Sequence, residues 1–244
     1  VRSRTQAGSE TRTPRPTMRL LVLNPNSSTS MTEMARGLAA RAAESCGLQL
    51  EVEGWTNETA PSSIQGPEDG AKATPPLLQR IEQASKEADV AGVIVACSDD
   101  IAVETARGLV RRDQAFLSIG EAAYRAAALR SRPFAIVTSV KEAIPILEGR
   151  VRTARLEHLL VGVRASAPVL KIAAQEPGAV AAVSDAVQAA IAEDKAESIV
   201  LGCCAMGPLA DELSRRHGIP VICGVTAATL LMPVMLSSTR SLQH

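Results

Sequence analysis

Two rhythms of apolar and polar positions alternate along this 244-residue chain. Short apolar runs recur at MRLLVLN (18–24), VAGVIVAC (90–97), AFLSIG (115–120), PFAIVTS (133–139), LEHLLVGV (156–163), ESIVLGC (197–203) and IPVICGV (219–225). Runs of this length bounded by turn residues predict strands, and LQLEVEG (48–54) adds one with apolar–polar alternation. Segments of helical character lie between them. Ser28, Thr29 or Ser30 is placed to cap a helix running to about Ser45. PPLLQRIEQASKEA (75–88) predicts a helix with Leu78, Ile81 and Ala88 among its inward positions. Further helices are predicted at roughly 101–112, 121–129, 141–152 and 177–193, after Pro208, and at the C-terminus.

Strands alternating with helices predict an α/β fold with parallel sheets. VAGVIVAC is apolar on both faces, as a central parallel strand is. Such sheets place ligand sites beyond the carboxyl ends of their strands. Those ends carry Asn24 and Asn26, then Cys97, Ser98 and Asp99, then Thr138 and Ser139, then Cys203. These clusters are expected to converge on one crevice. A weak internal repeat supports the convergence. Laying AGVIVACS (91–98) over ESIVLGCC (197–204) matches Ala96 with Gly202 and Cys97 with Cys203. Two similar lobes facing each other would put one thiol on each wall of a cleft.

Composition narrows the classes. Apolar residues make up 46% and aromatic residues 2%, so the core is aliphatic and a stacking platform for single-stranded nucleic acid is disfavoured. Lys plus Arg equals Asp plus Glu at 26 each, so no net field draws in nucleic acid or an anionic membrane. No run reaches the roughly 18 apolar residues of a membrane span. The five cysteines are an odd number with no disulfide-framework spacing, which reads as free thiols in a reducing cytoplasm. No charged-then-apolar signal segment opens the chain. Residues 1–17, polar and with four Arg, read as a disordered tail or as the product of an upstream start, since Met18 immediately precedes the first strand.

Each chemical candidate has a plain structural counterpart. Cys97 is either a packed thiol or, at a strand end before a helix, a thiol whose ionised form is favoured by N–H groups and the helix dipole. Asp99 and Asp100 either cap that helix or oppose its thiolate by their charge. The repeat favours Cys203 as the partner of Cys97 and leaves Cys204 as a small helix-entry residue beside the site. NPNSS (24–28) and VTS (137–139) are turn and cap sequences whose side chains are also placed to hold an amide, carboxylate or anion. Glu121 reads as a first-turn helix acid, and Cys46 and Cys223 as packing residues. His158, His217 and His244 are isolated, so no metal-ligand set is read. No dinucleotide or nucleoside triphosphate fingerprint is present.

Two thiols facing each other across a flat molecule suit one task in particular. One removes a proton from a carbon beside a carbonyl, and the other delivers a proton to the opposite face. Configuration inverts without a cofactor. At this point the sequence resembles a known family. LVLNPNSS, ADVAGVIVACSDD, SIGEAAYRAA, FAIVTS, VRASAPVL, AESIVLGCCAM and GIPVICGV are together similar to the Asp/Glu racemase superfamily, in its hydantoin racemase branch, which includes allantoin racemases. The resemblance spans Met18 to about Leu236.

The resemblance implies two pseudo-symmetric flavodoxin-like lobes, each a parallel sheet flanked by helices, with the active site in the cleft between them. It implies lobes at 18–130 and 131–226, the terminal helix (227–244) packing back on the first. It implies Cys97 and Cys203 as catalytic residues, with Asn24, Thr138 and Ser139 binding substrate; Asn26, Ser98, Asp99 and Cys204 join them as candidate contacts. It further implies a small-molecule substrate, no cofactor and a homo-oligomer. Three positions depart from the family pattern: Ser98 replaces a frequent aromatic, Gln65 stands where IEG is common, and Cys223 replaces a usual Asp. The expected function is racemisation of 5-substituted hydantoins or related cyclic ureides. The alternatives are an allantoin racemase, an aspartate or glutamate racemase, which needs cations not seen beside the motifs, and a non-enzymatic flavodoxin-like binding module. A decarboxylase of the same superfamily usually relies on one cysteine.

Overall fold

A computed structural model describes residues 18–129 and 132–240. The tail reading of 1–17 and the last four positions expected in the terminal helix lie outside the described residues.

The first half builds one sheet. It runs β1 (Arg19–Asn24), α1 (Thr29–Ser45), β2 (Glu51–Thr56), α2 (Pro67–Lys86), β3 (Val90–Val95), α3 (Val103–Arg107), β4 (Ala115–Ser118) and α4 (Ile119–Ala128). The second half builds another from β5 (Phe134–Thr138), α5 (Ile144–Thr153), β6 (Leu160–Ala165), α6 (Val169–Ala173), α7 (Pro177–Ala192), β7 (Ser198–Leu201), α8 (Ala210–His217) and β8 (Val221–Ile222), followed by α9 (Gly224–Arg240). Both sheets are wholly parallel, with strand orders β2-β1-β3-β4 and β6-β5-β7-β8. The second order repeats the first, strand for strand. The fold is α/β, as the alternation of elements predicts, and its two sheets form the two lobes that the internal repeat and the family resemblance imply.

Period-two alternation within the central strands explains how each sheet is covered. In β1, Leu21 and Leu23 face a cluster containing Leu77 and Ile81 of α2, while Leu20 and Val22 face α1 and α9. α1 begins where Ser28 Oγ accepts the Met31 N–H, and it buries Met31, Ala35, Leu38 and Ala39. α9 lies against α1, α4, β3 and β4. The match between halves extends to single bonds. Ala96 N donates to Leu23 O and Gly202 N to Val137 O, each at 2.8 Å, just past the third strand of its sheet.

Several boundaries differ from the pattern reading; the strand expected at 156–163 starts only at Leu160, after a turn, and that expected at 48–54 runs from Glu51 to Thr56. α2 starts at Pro67 and passes through Pro75 and Pro76. Its buried stripe of Ala73, Leu77, Ile81 and Ala84 spans both prolines, and that packing outweighs two missing N–H donors. Leu77 takes the fully buried position, Leu78 is half-buried, and Ala88 is exposed beyond the helix end. α3 is five residues long and begins at Val103, because Asp100 and Ala102 hold positive φ angles of 48° and 57° that no continuous helix accommodates. β8 contracts to two residues, and the segment after Pro168 adds the short α6.

Arg19 ties the amino ends of three strands together. It donates to Asp89 through Nε at 2.8 Å and a second nitrogen at 3.0 Å, and it also bonds Glu53 and Glu87. Arg19→Ala leaves three neighbouring carboxylates without their shared cation. It is expected to lower the melting temperature in dilute buffer, with a smaller loss in 1 M NaCl. An unchanged melting temperature at low salt contradicts this.

Candidate active site

Cys97 sits two positions past the end of β3 and Cys203 two positions past the end of β7. The two sheets thus deliver equivalent thiols from opposite lobes to one cavity. Asn26, Ser98, Asp99, Ser139 and Cys204 line the same cavity. Met31, Ile64, Ala143 and Val169 supply apolar wall. Asp99 is the charged side chain of this lining, which holds no Lys, Arg or His.

The two thiols differ in surroundings. Burial pushes the Cys97 thiol well above its ordinary value, and the charges of Asp99 and Asp100 push it the same way. The Asp99 backbone N–H pulls it back by favouring the ionised sulfur. α3 begins too far along the chain to place a helix terminus at Cys97, so the expected dipole assistance is absent there. Cys203 instead opens a 3-10 turn over Cys204–Leu209. Burial raises its thiol to about 11, and the Asp99 charge adds to that rise; the N–H groups of Ala205 and Met206 and the Ser139 hydroxyl oppose it by favouring the ionised sulfur. Cys203 is therefore the better supported thiolate of the pair. Burial is the largest influence on both thiols and keeps each of them protonated at neutral pH.

The turn after Cys97 is held from outside. Tyr124 Oη donates to Ser98 O at 3.2 Å, Arg150 Nε donates to Asp99 O at 2.8 Å, and Gly120 N donates to Asp100 Oδ1 at 3.1 Å. Asp100 thus caps α4 rather than α3. A Cβ at Gly120 would lie 2.5 Å from both Ser98 O and Asp100 Oδ1, so this close approach requires glycine.

Asn24 and Thr138 stand behind the cavity rather than in its lining. Asn24 Nδ2 donates to Asn26 Oδ1, Ser28 O and Thr32 Oγ1, which fixes the turn carrying Asn26. Thr138 Oγ1 donates to Gly202 O at 3.1 Å, one residue before Cys203. Both shape the site through its backbone. Asn26 Nδ2 has the Met31 thioether at 3.4 Å, a weak acceptor, so it remains a donor for a bound molecule.

A sequence profile described as Asp/Glu/Hydantoin racemase matches residues 20–232. The chain belongs to this family. It is 34% identical to a hydantoin racemase of Rhizobium meliloti over 226 residues, covering 91% of this chain and 90% of that protein. Two solved structures share the fold with a TM-score of 0.83 each. One is an allantoin racemase from Klebsiella pneumoniae, 28% identical, covering 91% of this chain and 89% of that one. The other is the allantoin racemase AllR from Pseudomonas fluorescens, 30% identical, covering 91% and 92%. The chain is accordingly an isomerase, and the reading as a non-enzymatic binding module falls away.

In this racemase all five cysteines are free. Among the described residues no three His, Cys, Asp or Glu side chains gather as metal ligands, and no helix is long and apolar enough to cross a membrane. His217 bonds Ser184 and Gln188, His158 is exposed, and His244 lies outside the described residues. Sequence reasoning missed Met31, Ile64 and Val169, which reach the cavity from a helix and two loops or short elements away from strand ends. It also missed Tyr124 and Arg150, which act from other elements on the backbone beside Cys97.

Proposed function

We propose that this racemase inverts 5-substituted hydantoins or related cyclic ureides without a cofactor, using Cys97 and Cys203 as its acid/base pair. The observation that carries the substrate class is the charge of the cavity. A wall holding one carboxylate and no cation suits a neutral ring and disfavours aspartate or glutamate, whose carboxylates would meet Asp99 unpaired.

In one direction the Cys203 thiolate takes the C5 proton and becomes a thiol. The electron pair left at C5 delocalises onto the adjacent carbonyl oxygen, where Asn26 Nδ2 is an available donor. The Cys97 thiol then protonates C5 from the opposite face and becomes a thiolate. The reverse reaction exchanges the roles. Allantoin, a hydantoin bearing a ureido group at C5, is the second reading, favoured by the polar atoms that Ser98 and Asn26 bring to the wall. The same reading takes lobe boundaries at 18–130 and 131–226, and a cytoplasmic homo-oligomer.

Polarimetry on optically pure 5-alkylhydantoins, allantoin, aspartate and glutamate tests the proposal. Loss of rotation with a cyclic ureide and none with the amino acids is expected; turnover of glutamate alone contradicts it. Because the base must be ionised and its thiol titrates near 11, kcat/KM is expected to climb between pH 7 and 9, above the ionisation of Asp99 at about 6. The climb approaches about tenfold per pH unit. A flat profile there rules out a high-titrating thiol as the base.

A further inference from the structure

We propose that Tyr124 is a positioning residue for Cys97: its hydroxyl fixes the Ser98–Asp99 peptide so that the Asp99 N–H is held against the thiol. The proposal rests on the reading of Cys97 as an acid/base group. Tyr124 is the chain's single tyrosine, and α4 carries it fully buried into the cluster of Phe134, Ile136 and Leu147 under the second sheet. Its Oη donates to Ser98 O at 3.2 Å. That carbonyl and the Asp99 N–H belong to one planar trans peptide, and so they point in opposite directions. Anchoring the oxygen toward Tyr124 turns the hydrogen to the other side of the peptide, and this N–H favours the ionised form of Cys97.

The turn does not hold this orientation unaided. Asp100 and Ala102 sit at positive φ, a conformation that non-glycine residues keep only when neighbouring bonds over-determine it. Asp100 N donates to Cys97 O at 3.2 Å, and Arg150 Nε holds the next carbonyl at Asp99. Tyr124 holds the Ser98–Asp99 peptide, whose N–H favours the ionised form of Cys97. The Asp99 N–H opposes both burial and the charges of Asp99 and Asp100, which face Cys97 from its own turn; Cys203 faces it from the other lobe. Tyr124 itself stays neutral across the working range, since burial raises its phenol well above the ordinary value.

The test is the pH dependence of iodoacetamide alkylation, followed separately at Cys97 and Cys203 by mass spectrometry of the full chain. Tyr124→Phe keeps the ring and removes the donor. The Cys97 midpoint is expected to rise by about one pH unit, with Cys203 unmoved. An unmoved Cys97, or equal movement of both thiols, overturns the proposal. Should the Phe variant not fold, uniform replacement of tyrosine by 3-fluorotyrosine changes Tyr124 alone. A more acidic phenol donates more strongly, so the Cys97 midpoint is then expected to fall with Cys203 unmoved; an unmoved or higher Cys97 midpoint overturns the proposal. This readout is independent of turnover. A wild-type protein that racemises no cyclic ureide removes the functional reading, whereas a Cys97 midpoint indifferent to Tyr124 removes the positioning role.

Discussion

Cys203→Ser is expected to slow racemisation by about 10²–10⁴-fold, the span associated with a positioned acid or base, and Cys97→Ser to do the same. A serine hydroxyl nearly matches the thiol in size but does not ionise in the working range, so the fold is kept and the proton carrier is lost. The two variants are expected to differ from a misfolded protein in a specific way. Each keeps one working thiol on one face of the cleft. With Cys97→Ser, the Cys203 thiolate still removes a proton and returns one to the same face, so one enantiomer exchanges its C5 hydrogen in D2O without inverting. Cys203→Ser is expected to favour exchange of the opposite enantiomer. Cys46→Ser, at an exposed position outside the cavity, is expected to retain wild-type rates. Polarimetry and mass spectrometry together read these outcomes. A rate above about a tenth of wild type in either cavity variant removes that cysteine from the mechanism.

Asp100→Asn is expected to stabilise the protein at alkaline pH and to leave it unchanged in acid. Asp100 is buried, and burial raises its carboxyl from an ordinary value of 3.8 to about 7, against the attraction of Arg150. The folded state therefore keeps the proton to higher pH than the unfolded chain does. Between about pH 4 and pH 7 the unfolded chain gives up this proton first, so folding stability from this group falls as pH rises and is at its lowest above pH 7. Asparagine removes the charge but keeps a carbonyl oxygen for the Gly120 N–H, and it accepts the positive φ of this position more readily than most residues. The gain is expected to be on the order of 3 kcal/mol at pH 8 and to vanish near pH 4. Urea unfolding at the two pH values measures it. A loss at pH 8, or an equal gain at both, contradicts a buried carboxylate that destabilises the fold when ionised.

The proposed cysteine pair was legible because two independent signals fell on it. Strand ends in parallel sheets collect ligand groups, and the repeat aligned Cys97 with Cys203. The structure gives the repeat its physical meaning, since Ala96 and Gly202 make the same backbone bond at the same point of equivalent sheets. Helix limits were less legible. Pro75 and Pro76 read as a start because proline breaks helices locally, yet α2 is held by the apolar stripe on either side of them. Asn24 and Thr138 illustrate a different limit. Their chain positions are right for a site, but a period-two strand does not reveal whether a terminal side chain turns outward or bonds the neighbouring turn. Arg150 carries no local signal at all, since its role is a bond to a carbonyl 51 residues earlier in the chain.

The central claim is that thiols from opposite lobes reach opposite faces of one carbon. It is tested most directly by the initial fate of the C5 hydrogen when each pure enantiomer of a 5-alkylhydantoin is turned over in D2O. Inverted product carrying solvent deuterium, formed while recovered starting enantiomer still carries protium, is the expected result from both directions. Deuterium entering starting material and product equally from the first turnovers would mean a single base serving both faces, and would contradict the opposed pair.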